Sequence, residues 1–143
     1  MKTTTMAAAA CAALALFSPL AGAGELTDAA VAQALGVSGV THTIKAKSQR
    51  GMAYSDVIYK DGRGGDLIVL RLGTVDQYGL WKQAMGTEST PVSGVGIEAF
   101  QVKMFRAVCA KSASNAVCVT PSFVNKNLKI SDAQIQALAG AAL

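Results

Sequence analysis

The pair Cys109 and Cys118 limits the folding of this 143-residue chain more than any other feature. Between them runs Ala-Lys-Ser-Ala-Ser-Asn-Ala-Val, which is polar and turn-forming, and on either side stand the strand-like Ala107-Val108 and Val117-Cys118-Val119. A hairpin centred on Ala113-Ser114 sets the two cysteines opposite each other, at the cross-strand Cα separation of about 4.5–5.5 Å that suits a disulfide. Closing a loop of that length contributes roughly 2.5–3 kcal/mol in the chain-entropy model, a large share of a small domain's stability. The C-x-x-C spacing of redox-active pairs is absent, so the expectation is a structural bond and no metal site.

Whether such a bond forms depends on the compartment, and the N-terminus speaks to that. Lys2 supplies a positive start, residues 6–17 an apolar run, Ser18-Pro19 a break, and Ala21-Gly22-Ala23 the small residues before a cut. That is the order of a secretory signal peptide. Cleavage after Ala23 is expected, giving a signal peptide over residues 1–23 and one domain over residues 24–143. The apolar run is shorter than the ~20 residues a bilayer core requires, so no membrane span is expected once it is removed. Cys11 follows Ala8-Ala9-Ala10 as a lipid-attachment cysteine would. Too few apolar residues precede it, however, and most of the inserting stretch would lie on the wrong side of the cut.

Of the 13 lysines and arginines only Lys2 falls in the leader, so the domain sets 12 bases against 9 acids. They are scattered, with neither the clustered patch nor the interleaved aromatics of a nucleic-acid interface, and no nucleic-acid partner is expected.

Hydrophobic periodicity orders the domain. Thr27 caps a first helix whose Leu26 staples onto Val31, and Gly36 stops it. Residues 40–47 alternate with period two, the mark of a strand with one wet face. Residues 53–59 and 66–72 are further strands about the glycine-rich 60–65 loop, and the apolar run 67–70 predicts a central strand covered on both faces. Residues 76–85 suit a short helix with Tyr78, Trp81 and Met85 on one side. A strand over 101–109 and its partner over 116–120 follow, and Ser131 with Gln134 forms the capping box of a last helix in which Ile130 staples onto Ile135. The order helix, three strands, helix, two strands, helix predicts an α+β domain. Its sheet is expected to be about five-stranded and mainly antiparallel, with helices on one face and the other face partly open.

No catalytic set is legible. The lone His42 lies in phase with Val40, Ile44 and Ala46 and is expected at the edge of the core. Asp56, Asp61, Asp66, Asp76, Glu88 and Glu98 fall mostly at predicted turns, where side chains bond local backbone. Gly62-Arg63-Gly64-Gly65 and Gly94-Val95-Gly96 match neither phosphate-loop pattern. H-E-x-x-H, C-x-x-C-H and G-x-S-x-G are all absent. No cofactor and no metal ligand is therefore assigned. The aromatics are expected chiefly in the core, although Tyr54 and Tyr59 lie on opposite faces of one strand.

Two segments, Leu26-Thr-Asp-Ala-Ala-Val-Ala-Gln-Ala-Leu-Gly36 and Val92-Ser-Gly-Val-Gly-Ile-Glu-Ala-Phe100, resemble those of small exported bacterial envelope proteins of unknown function. Such proteins share a first helix ending in Leu-Gly and a later Gly-x-Gly-x-x-Ala segment. The resemblance implies an envelope protein and assigns no functional residue. The leading expectation is a non-enzymatic periplasmic or secreted binding or accessory protein. Its partner would be a periplasmic or envelope protein, and an inhibitor or immunity protein is one specific form. The alternatives are a small hydrolase-type enzyme built on Asp, Glu and Tyr, and a structural component of the cell envelope.

Overall fold

A computed structural model describes residues 24–143; the expected signal peptide, with Cys11, lies outside the described residues. The elements in chain order are α1 (Asp28–Leu35), β1 (Thr41–Gln49), β2 (Met52–Lys60), β3 (Asp66–Gly73), α2 (Val75–Met85), a 3-10 turn (Gly86–Glu88), β4 (Ser89–Val92), β5 (Glu98–Val102), β6 (Ala107–Lys111), β7 (Ala116–Pro121) and α3 (Asp132–Ala141). The strands form one antiparallel sheet in the order β1-β2-β3-β7-β6-β5-β4. It is thus two meanders, β1 to β3 and β4 to β7, zipped together along β3 and β7.

Local chemistry explains where the helices begin. The Thr27 hydroxyl accepts the Ala30 amide at 3.1 Å, and Asp28 places negative charge in the first turn of α1. Gly36, at φ 66°, closes that helix by donating its amide to the Ala32 carbonyl. Thr74 with Gln77 and Ser131 with Gln134 form complete capping boxes on α2 and α3.

Strand alternation sorts the core into two layers. Val31 and Leu35 of α1 and Ile135 and Leu138 of α3 pack on Val57, Tyr59, Leu70, Val108, Val117 and Val119, all on one face of the sheet. Fully burying side chains of this size contributes roughly 1.5–3 kcal/mol each. The residues between them in sequence point the other way. There Tyr78 of α2 covers Phe100, Val102, Cys109, Ala116 and Cys118, with Trp81 and Met85 at its margin.

The α+β class stands, and three details of the expectation change. The sheet has seven strands, because the single strand expected over 101–109 is two strands folded at Lys103-Met104-Phe105-Arg106, and residues 89–92 add a fourth to the second run. The central position belongs to β7, with β3 beside it. The helices occupy both faces: α1 and α3 share one, and α2 takes part of the other. No described helix is long and apolar enough to cross a membrane.

Candidate functional site

The α2 face of the sheet is covered over β5, β6 and part of β7, and lies partly open over β1, β2 and β3. Register builds a row of side chains across it. Asp56 on β2 faces Arg71 on β3, Arg71 faces Cys118 on β7, Cys118 faces Cys109 on β6, and Cys109 faces Phe100 on β5. Cys109 and Cys118 are joined in the disulfide that their spacing predicts.

At the open end of the row Arg71 grips Asp56 with two hydrogen bonds, Nε donating to Oδ1 at 2.8 Å and the terminal nitrogen to Oδ2 at 3.1 Å. Lys47 on β1 donates to the same Oδ2 at 2.9 Å, and the guanidinium lies 4.5 Å from the centre of the Tyr54 ring. Burial pushes the Asp56 carboxyl up, but the hydrogen bonds and charges of Arg71 and Lys47 overcome this and hold it below its ordinary value. The Asp56 hydrogen bond, working against burial, raises Arg71 in turn. Arg71 therefore stays charged. Two of its five N–H donors are spent on Asp56, and its side chain remains one-third exposed.

Beside Arg71 the sheet and α2 enclose a groove of about 140 Å³, floored by Val69, Cys109, Cys118 and Thr120 and walled by Trp81, Met85 and Phe105. A second hollow of about 100 Å³ lies across Trp81, against Tyr54, Met52, Gln77 and Leu80. Trp81 is set by the close approach of α2 to the end of β3: a Cβ on Gly73 would stand 2.8 Å from its ring and would collide with Gln77 Oε1. The site thus joins an apolar, disulfide-floored groove to a cationic guanidinium stacked on tyrosine. That arrangement suits a ligand with an apolar body and an acceptor or carboxylate group.

His42 lies on the opposite face. Its Nδ1 is 2.6 Å from Asp28 Oδ1 and its Nε2 is 2.9 Å from Glu25 Oε1. The Asp28 hydrogen bond, opposed by burial and helped by the charges of Asp28 and Glu25, raises its pKa above the ordinary value. The ring lies 5.5 Å from that of Tyr59, whose hydroxyl donates to the Leu26 carbonyl at 2.7 Å and accepts the Leu26 amide at 3.1 Å. This cluster pins the segment before α1 to the sheet and uses both ring nitrogens in doing so.

The structure brings Cys109 and Cys118 together, puts His42 at the rim of the core and separates Tyr54 from Tyr59, as the sequence predicts. Asp56 lies in the strand expected over residues 53–59, but is 3 % exposed and paired with two cations, which the sequence reading did not foresee. Arg71 and Lys47 escaped sequence reasoning altogether. The available signal was an acid inside one alternating strand and an arginine inside the next. Among the described residues no group of three His, Cys, Asp or Glu is placed to hold a metal ion. Comparison with protein-family models, with curated proteins and with solved structures gave no match.

Proposed function

We propose that this chain is a non-enzymatic exported binding protein of the periplasm or cell exterior, engaging a protein or envelope ligand through the half-open α2 face of its sheet. The observation that carries the reading is the juxtaposition of Arg71, with N–H donors to spare, and the apolar groove under Trp81, Met85 and Phe105. Arginine and tryptophan are the side chains that most often dominate binding energy, and here they meet over a rigid floor. The leader-like N-terminus and the Cys109–Cys118 bond support the location.

The reading is tested by affinity capture from a periplasmic extract, with wild type compared with Trp81→Ala and Arg71→Gln. A partner should be retained saturably by wild type and lost from both variants while their circular dichroism stays unchanged. Equal retention by all three would remove the groove from the account.

A further inference from the structure

One end of the sheet gathers four connections into a continuous strip. The Lys103 amide donates to the Glu88 carbonyl at 3.1 Å, Phe105 meets Phe123 edge to face at 6.2 Å, Asn125 donates to Asp61 at 3.3 Å, and the Gly62 amide reaches the Ser38 carbonyl at 3.3 Å. This strip shows three large apolar side chains at the tips of its turns, where the turns of the opposite end show Ile97, 70 % exposed. Met104 is 67 %, Phe123 60 % and Val124 79 % exposed.

Charge is sorted to the same end. Among the described residues six bases make no ion pair, and four of them, Arg63, Lys103, Lys126 and Lys129, lie on these connections. The acids nearby are mostly occupied. Asp66 faces Lys60, Asp132 holds Arg106, and Asp61 accepts the Arg63 and Gly65 amides of its own loop, which leaves Glu88 as the one acid there without a partner among the described residues. Between the β2–β3 loop and residues 124–127 lies an open hollow of about 520 Å³ with the paired Lys60 and Asp66 and the unpaired Lys126 on its rim, large enough for a phosphate-bearing headgroup.

Separate apolar tips ringed by flexible, unpaired lysines are what a bilayer surface rewards. The tips enter the boundary between headgroups and acyl chains, and the ammonium groups meet anionic lipid. A protein hot spot, by contrast, centres on a pocket that excludes water, whereas the hollows beside these tips, about 520 Å³ at Val124 and about 300 Å³ at Phe123, are open and rimmed by lysine. We propose that this loop end, through Met104, Phe123 and Val124 flanked by Lys103, Lys126 and Lys129, docks the domain on an anionic membrane surface. Docking there leaves the α2 groove facing sideways along the membrane and does not depend on that groove having a ligand.

The test is co-sedimentation with vesicles of phosphatidylcholine alone and of phosphatidylcholine with phosphatidylglycerol. Wild type is compared with Phe123→Ser/Val124→Ser and with Lys103→Gln/Lys126→Gln/Lys129→Gln, so that residues 1–23, processed alike in every sample, cancel. Wild type should sediment with the anionic vesicles and lose binding in high salt. Each lysine is worth about fivefold in partitioning, so the triple variant should fall about a hundredfold. Losing the two exposed apolar tips should cost at least about tenfold. Because all five side chains are exposed, the variants should melt within about two degrees of wild type. The proposal is overturned if the anionic vesicles bring down no protein at low salt, if they bind all variants alike, or if neutral vesicles bind as well as anionic ones. A free phosphate that displaces no protein from the vesicles is expected; displacement at stoichiometric phosphate would identify an anion site instead and also overturn it.

Discussion

At the scale of single residues, two buried tyrosines show how much depends on a partner. The Tyr59 hydroxyl satisfies both backbone groups of Leu26, whereas the Tyr78 hydroxyl, buried over Phe100 and pushed up to about 12 by burial and by Glu98, has no hydrogen-bond partner among the described residues. Tyr59→Phe should therefore cost about 1–3 kcal/mol, and Tyr78→Phe should be neutral or stabilising, as measured by urea unfolding. The reverse order would show that the Tyr78 hydroxyl is satisfied in solution. His42 gives a pH signature. Its folded pKa lies above the ordinary 6.5 because of Asp28, so its contribution is complete below that value and is lost as pH rises through the folded one. The melting temperature should fall as pH rises above about 6.5, and His42→Gln should flatten that slope. A slope unchanged by the substitution would assign the effect elsewhere. Little of this was legible beforehand. Period-two alternation placed His42 correctly, but its carboxylates come from residues preceding and opening α1, and no local pattern announces that meeting. Asp56 and Arg71 are equally non-local. Their pairing depends on hairpin register, and a bulge between Tyr59 and Lys60 followed by a five-residue loop leaves that register unreadable.

At the scale of elements, the hairpin of β6 and β7 was the most readable part of the chain, because the turn fixed its centre and the cysteines confirmed the register. Both sulfurs are buried against α2, so the bond stabilises the unit on which three layers meet. The double substitution Cys109→Ala/Cys118→Ala should lower unfolding stability by about 2.5–3 kcal/mol and steepen the denaturant dependence, since the unfolded chain is released from a closed loop. Unchanged stability would show that the bond closes a loop already structured when unfolded. Helix ends were also legible, since Thr27, Gly36, Ser131 and Gln134 act through neighbouring backbone. The turn between β5 and β6 was not. It needs Arg106 at φ 52°, and without glycine, asparagine or proline at that turn nothing in the sequence marks a reversal. Residues 101–109 therefore read as one strand.

At the scale of the whole molecule, an apolar stripe says that a helix buries one side but not which side of a sheet receives it, so the position of α2 could not be read from its own residues. The strands held the answer. Residues 107–110 and 116–119 are apolar at every position and are buried on both faces, as strands between two layers must be. Two-sided coverage was expected at residues 67–70, where Val69 in fact lines the open groove. The two meanders thus differ in purpose: β6 and β7 anchor the layers, while β1 to β3 extend beyond α2 and leave the groove accessible.

The sheet also ends unequally. β4 is a four-residue border with Pro91 in it, unable to offer a full ladder, whereas β1 presents nine residues along an uncovered border with Lys45 and Lys47 among them. Any lateral lengthening of the sheet must use β1. Two copies meeting there about a twofold axis would leave only proline-blunted rims outside, so such growth terminates at a pair and fibrous stacking has no second border to use.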